Sequence, residues 1–270
     1  MSNTNEKMQM RKIAATLLAD EKVGYVIGWG ATNFPEKTTA VMVRSVEDAD
    51  DLYWNEDHAI SLAKYLLEDK YPEKKIGIFA RHLETKAINR MIADNQIKRE
   101  NLYIIGVPAG GKNPLVYDEL VWELVDEIDD TSSRFKDIDA IENMSNEQKY
   151  AFWSDVYSKC IRCYACRNVC PVCSCRECYV DMAATGFQGK QHSISDNQIF
   201  GITRAFHVGD RCIECGECER VCPMGLPVNA QTQKIIKDII DLNGDYESGI
   251  DPESENFLGS FDLDDKDEFM

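Results

Sequence analysis

Apolar residues change their spacing several times along this chain, and each change marks an element. Residues 5–20 place Met8, Ile13, Leu17 and Leu18 near one helical face, which predicts an N-terminal helix within 1–19. "VGYVIGW" (23–29) is a short apolar run and "TTAVMVRSV" (38–46) alternates, so both predict strands. "EDHAISLAKYLLEDK" (56–70) returns to helical spacing, with His58 and the nearby Trp54 read as surface and packing residues. "KKIGIFA" (74–80) is a buried strand, "LETKAINRMIADNQI" (83–97) a helix and "NLYIIGV" (101–107) another buried strand. Strands alternating with helices of this length form βαβ units. Residues 20–130 are therefore read as a small α/β domain with a mostly parallel sheet.

The pattern then turns polar. "DDTSSRFKDIDA" (129–140) has no apolar period, and residues 131–144 read as a linker. In "SNEQKYAFWSDVYSKC" (145–160), Ser145 and Gln148 have the spacing of a capping box, which predicts a helix running into Cys160. "SDNQIFGITRAFHVGDRC" (195–212) repeats this arrangement. Ser195 or Asp196 is placed to cap it, and Ile199, Ile202, Phe206 and Val208 to pack. "LPVNAQTQKIIKDIIDL" (226–242) predicts a third helix.

Charge narrows the partners. The formal net charge is −17, which excludes a nucleic-acid surface. From Asp241 onward, 11 acidic residues stand against one lysine. Residues 243–270 read as an acidic tail, either solvated or ordering on a partner subunit through Phe257, Leu258, Phe261, Leu263 and Phe269. No run approaches the roughly 18 apolar residues of a membrane span, and the start has no secretory pattern. The expectation is a cytoplasmic chain.

All 11 cysteines lie between Cys160 and Cys222. Such clustering in an unsecreted chain points to metal rather than disulfides. Cys160, Cys163, Cys166 and Cys170 read C-x2-C-x2-C-x3-C-P, closed by Pro171. Cys212, Cys215, Cys218 and Cys222 repeat the pattern, closed by Pro223. In two-cluster ferredoxins three thiolates come from one such unit and the fourth from the other. A short loop wraps three corners of a cubane, and the fourth needs chain arriving from elsewhere. One 4Fe–4S cluster is accordingly expected on Cys160, Cys163, Cys166 and Cys222, the other on Cys212, Cys215, Cys218 and Cys170. Structural zinc favours paired C-x2-C units over triples.

Cys173, Cys175 and Cys178 do not fit the repeat. They leave three readings open. One is an additional metal site, with Asp181, His192 or His207 as its fourth ligand. Another is substitution for Cys170. The last is thiols that tune a neighbouring cluster or react themselves.

The connection between the units, with a helix ahead of each and "RAFHVGDRCIECGECERVCPMGLPV" in the second, resembles the α-helical ferredoxin module over about 145–242. That module occurs in the small subunit of heterodisulfide reductases and in the iron–sulfur subunits of succinate dehydrogenases and fumarate reductases. "IGIFARHLETKAINRMIADNQIKRENLYIIGVPAGGK" (76–112) resembles the beta subunits of deazaflavin-reducing hydrogenases and formate dehydrogenases, over about 20–130. Members of that family carry electrons between a flavin and iron–sulfur clusters. The chain departs from them at two places: a cysteine common after each strand is absent near Arg81 and His82, and at Ala109.

The end of a parallel strand is where open α/β sheets bind ligands. Gly106, Gly110, Gly111 and Lys112, with Arg81 and His82 after the neighbouring strand, are therefore candidates for FAD or FMN. An ordinary strand-to-helix turn accounts for the same residues, since the spacing is no P-loop.

The resulting fold class is an α/β N-terminal domain, an α-helical two-cluster ferredoxin domain and an acidic tail. The leading function is electron transfer within an anaerobic redox complex, beside a flavoprotein, hydrogenase or formate dehydrogenase. The alternatives are direct reduction of a soluble acceptor by a bound flavin, and docking alone. Tyr164, Tyr179 and Phe187 are read as cluster shields or partner contacts.

Overall fold

The structure, a computed structural model, describes residues 2–34, 37–54, 60–69, 72–107, 116–117, 134–182, 184, 186, 189, 193–250, 252–253 and 257–258. It divides into two units, Met1–Asp129 and Asp130–Met270.

The first unit is built on a five-stranded sheet of order β2-β1-β3-β4-β5. Its strands are β1 (Tyr25–Ala31), β2 (Thr38–Val43), β3 (Ile76–Ala80), β4 (Leu102–Gly106) and β5 (Val116–Tyr117). The central three, β1, β3 and β4, run parallel, and each edge strand is antiparallel to its neighbour. β3 is buried along its whole length, as a parallel strand covered on both faces must be. Helix α1 (Ser2–Ala19) buries Met10, Ala14 and Leu17. Met8, expected inward, is 61% exposed. The buried spacing of i, i+4, i+7 leaves residue 8 on the other side.

Between β2 and β3, a helix was expected over 56–70. The described part forms a single 3-10 turn, Ala63–Leu67. One tight turn is enough to send Leu62, Ala63 and Leu66 inward, so apolar spacing could not separate it from an α-helix. Trp54 is a packing residue, 3% exposed and edge-on to Trp29 at 4.7 Å. His58 lies outside the described residues. Helix α2 (His82–Ala93) completes a β3-α2-β4 unit.

The second unit is helical. Residues expected as a linker contain helix α3 (Lys136–Glu142), with Ile138 buried. Its acidic residues meet α8 (Ala230–Asn243): Glu142 pairs with Lys234 at 2.8 Å and with Lys237, and Asp139 with Lys237 at 3.0 Å. Those lysines hold the Glu142 carboxyl down to about 2. A polar segment thus folds with Ile138 buried and its acidic residues paired to distant lysines, and an apolar period reveals neither.

Helix α4 (Asn146–Lys159) begins as its sequence implied. The Ser145 hydroxyl accepts from the Gln148 N–H at 3.3 Å, and the Gln148 side chain accepts from the Ser145 N–H at 2.9 Å. Ser145→Ala should therefore lower the unfolding free energy of this unit by about 1 kcal/mol in chemical denaturation.

Helix α6 (Ile194–Val208) is capped by Ser193, whose hydroxyl accepts from the Asp196 N–H at 3.1 Å, and not by Ser195 or Asp196. Its buried residues are Asn197, Phe200, Arg204, Ala205 and Val208. Of the four residues expected to pack, Val208 is buried, whereas Ile199, Ile202 and Phe206 are 42%, 47% and 60% exposed. The polar residues that took the inward positions have partners there.

The tail is folded onto this unit through residue 258 where it is described. The Tyr246 hydroxyl donates to the Asp210 carbonyl, Ser248 to the Arg211 carbonyl at 2.9 Å, and the Leu258 N–H to the Asp210 carboxylate at 2.8 Å. Phe257 stands edge-on to Tyr246 at 5.0 Å. Phe261, Leu263 and Phe269 lie outside the described residues.

Candidate iron–sulfur centre

Two short loops carry the cysteine repeat, and their backbones repeat as well. α4 ends at Cys160, which opens the first loop. Arg162 and Tyr164 follow with φ of 49° and 59°, and then a short helix α5 (Ala165–Val169). The second loop opens at Cys212. Glu214 and Gly216 have φ of 57° and 70°, and a short helix α7 (Glu217–Arg220) follows. The left-handed residues occupy equivalent positions in both units: the residue before the second cysteine and the residue after it. Three of the four carry a side chain, at a cost of about 1–2 kcal/mol each.

The gain lies in where the N–H groups point. Alternating hands turn successive amides toward one concave side, which favours an anionic guest. The Arg162 N–H reaches the Cys160 sulfur, and the Glu214 N–H reaches the Cys212 sulfur at 3.4 Å. The Arg167 and Glu217 amides serve Cys166 and Cys215 in the same way. The Leu226 N–H donates to Cys222 at 3.4 Å.

The thiols fall into two groups. Cys160, Cys163, Cys166 and Cys222 line one pocket, closed by Tyr164, Phe200, Pro223 and Leu226. Burial raises the Cys160 thiol, and the nearby Cys222 and Cys163 add to the rise. Around the second loop, burial pushes Cys215 up to about 12 and Cys218 up to about 11, and Cys170 raises both further. Cys212 is likewise raised by burial and then by Cys170. The last cysteine of each unit therefore stands with the first three of the other. α5 packs against α7, which brings the two loops together.

Buried thiols that raise one another are poor company until cations replace their protons. Iron does that, and a thiol on a metal is deprotonated outright. Among the described residues no three Cys, His, Asp or Glu groups close on one point as a single ion requires. Sulfurs around a cubane stand farther apart, each on its own iron. The donor set fits iron–sulfur clusters.

The scaffold contributes residues that the sequence reading missed. Asn197 is fully buried and donates to the carbonyls of Tyr157 and Cys160, both at 2.8 Å, which ties α6 to the mouth of the first loop. Phe200 stands edge-on to Tyr164 at 5.1 Å. Tyr157 is buried, and its hydroxyl donates to Gln231 on α8. Of the expected shields, Tyr164 lines the first pocket, Tyr179 stands edge-on to His207 at 5.8 Å, and Phe187 lies outside the described residues.

The three leftover thiols diverge. Cys173 packs on Cys170, Val172 and Val208. Cys175 is exposed. Cys178 accepts from Arg167. The fourth-ligand candidates are also engaged: Asp181 pairs with Arg167 at 2.7 Å, and His207 faces Tyr179. His192 lies outside the described residues. Cys175→Ala is accordingly expected to leave iron and sulfide per chain unchanged in anaerobic preparations. A loss of about four irons would reveal a third cluster.

In the first unit, Arg81 turns back on its own helix. It forms a fork with Glu84, Nε–Oε2 at 2.8 Å and Nη2–Oε1 at 2.7 Å, and lies over the Trp29 ring at 5.2 Å. Glu84 is fully buried and also accepts from the Arg81 N–H at 3.0 Å. This charge is committed to starting α2 rather than left for a phosphate. His82 is the first residue of α2 and Gly106 the last of β4, paired with Ala80 and Val116. Gly110, Gly111 and Lys112 lie outside the described residues.

Residues 156–226 match the 4Fe-4S dicluster domain. This chain contains an iron–sulfur domain. It is also similar to two curated enzyme subunits. One is the F420-dependent formate dehydrogenase subunit beta of Methanocaldococcus jannaschii, 37% identical over 100 residues, which are 37% of this chain and 25% of that protein. Another is the F420-dependent formate dehydrogenase 1 subunit beta of Methanococcus maripaludis, 40% identical over 134 residues, which are 47% of this chain and 33% of that protein. The match thus spans a quarter to a third of those relatives' length. No described helix is long and apolar enough to cross a membrane.

Proposed function

We propose that this chain is an electron-relay subunit carrying two 4Fe–4S clusters. One is held by Cys160, Cys163, Cys166 and Cys222, the other by Cys212, Cys215, Cys218 and Cys170. When bound, the clusters supply reversible one-electron chemistry. The chain's part is placement: left-handed turns aim amides at the sulfurs, Phe200 and Tyr164 exclude water from the first pocket, and the α5–α7 contact holds the two loops side by side. The observation that carries this reading is the repeated loop backbone together with the exchange of Cys170 and Cys222 between thiol groups.

The similarity to formate dehydrogenase beta subunits supports a place beside a formate-oxidising or related redox partner, with a deazaflavin as the final acceptor of the complex. In this reading residues 145–242 carry the electrons and residues 20–130 dock the relay onto its partner. The commitment of Arg81 to Glu84 removes one of the charges that a flavin phosphate would have used at the sheet edge.

The test is anaerobic purification with iron, sulfide, zinc and flavin quantification and identification of co-purifying chains. About eight irons and eight sulfides per chain, reducible in one-electron steps, are expected. Colourless protein, or protein with zinc alone, overturns the proposal.

A further inference from the structure

Among the described residues, a buried arginine on α6 has no carboxylate to face. Arg204 is 6% exposed. Three other arginines with largely buried side chains each have one: Arg90 meets Asp94 at 2.8 Å, Arg81 meets Glu84 at 2.7 Å, and Arg162 approaches Asp196 at 3.8 Å. Arg204 gives Nη2 to the Cys166 carbonyl at 3.3 Å, while its buried Nε has no partner among the described residues. Isolated burial of a guanidinium is unfavourable unless a countercharge stands nearby.

The nearby ionisable groups are sulfurs. Cys170, Cys218, Cys166 and Cys173 act on the guanidinium charge most strongly, and Cys170 packs on Val208, one turn along the same buried face of α6. Three of these sulfurs come from the two groups: Cys166 from the first pocket, Cys218 and Cys170 from the thiols around the second loop. Cys218 in turn feels Cys166, so the two groups approach each other at this place. A protonated thiol gives an arginine nothing to balance it. A thiolate on iron does.

We propose that the Arg204 guanidinium is a shared countercharge between the two sulfur groups and that it raises the reduction potential of both centres. The inference rests on the ligand sets proposed above. Each thiolate-bound cube is an anion, and reduction adds one more negative charge to it. A fixed cation in a low-dielectric gap favours the reduced form more than the oxidised one. The free Nε–H adds a donor of the kind that shifts cluster potentials. Arg204 acts through the ligands' surroundings and is a positioning residue, not a ligand.

The experiment compares the unaltered chain with Arg204→Gln and Arg204→Lys, each purified anaerobically and titrated potentiometrically with EPR detection. Arg204→Gln is expected to lower both reduction equilibria at least tenfold, about 59 mV for a one-electron couple. Arg204→Lys keeps the charge and is expected to stay within about threefold of the unaltered chain. Equal shifts in the two variants, no shift, or a shift confined to one cluster overturns the proposal.

Where Arg204→Gln fails to load iron, the unaltered chain is labelled with 15N in its arginine guanidinium groups alone. Pulsed EPR of the reduced protein should then show a 15N coupling that Arg204→Lys abolishes. Its absence from the unaltered chain overturns the inference. An unaltered chain without iron defeats the functional reading itself, whereas iron with unmoved potentials defeats only the role of Arg204.

Discussion

Cys215→Ala halves the iron of anaerobically purified protein, from about eight to about four per chain, and lowers its thermal midpoint. Cys215 sits in the middle of the second loop, between left-handed Glu214 and Gly216. Alanine offers no ligand, so one corner of that cluster opens into a buried site. The loop then keeps its backbone strain and loses the bonds that offset it. Because α7 follows directly and packs on α5, the loss also loosens the first loop.

The sharper version uses the exchanged cysteine. Cys222→Ala should abolish the same EPR signal as Cys163→Ala, though Cys222 lies in the second unit of the sequence. If Cys222→Ala instead removed the signal lost in Cys215→Ala, each unit would hold its own cluster and the proposed ligand sets would be wrong.

Gly201→Ala, far from any sulfur in sequence, should also be severe. A Cβ at this position of α6 would stand 1.9 Å from the Tyr157 hydroxyl oxygen and 2.3 and 2.4 Å from its ring carbons. Tyr157 is 6% exposed, its hydroxyl is bound to Gln231 and its carbonyl to Asn197. It has nowhere to retreat without opening the α4–α6 contact. Replacing glycine by alanine inside a helix ordinarily gains about 0.5–1 kcal/mol. Overpacking of a fixed ring costs about 1–3 kcal/mol and wins here. The expected result is a lower thermal midpoint, with cluster absorbance lost in the same transition. Adding Tyr157→Phe removes the atom nearest the new Cβ and should recover part of the loss, a coupling that a double-mutant cycle measures. A Gly201→Ala protein as stable as the unaltered chain would show that the ring moves freely.

How much of this was legible beforehand differs from residue to residue. β3 and β4 were plain because both are short, fully apolar runs, and Ser145 with Gln148 announced α4 through a local hydrogen-bond pattern that needs no tertiary context. The two cysteine units were equally plain, since their spacing is set by the cluster they wrap. α6 shows the limit. Its apolar residues pointed to a packing face of Ile199, Ile202 and Phe206, yet Asn197 and Arg204 lie inside. Loop carbonyls and sulfurs on the inner side reward donors more than hydrocarbon, and period alone carries no record of that. α3 was missed for a related reason, since Asp139 and Glu142 find their lysines nearly a hundred positions later. Arg81 follows a strand end of the kind that binds ligands, and its charge is taken by Glu84, three residues along and fully buried.

The position of Cys222 in the first pocket has a consequence for how the protein is made. A chain growing from its N-terminus exposes Cys160, Cys163 and Cys166 long before the residue that closes their pocket exists. Pro223 and Leu226, which line the same pocket, arrive later still. Until then three thiols face solvent, open to oxygen and to stray zinc. With the proposed ligand sets, the first centre waits until synthesis has passed Cys222, and a chain stopped just short of it carries all four cysteines of the second set but only three of the first.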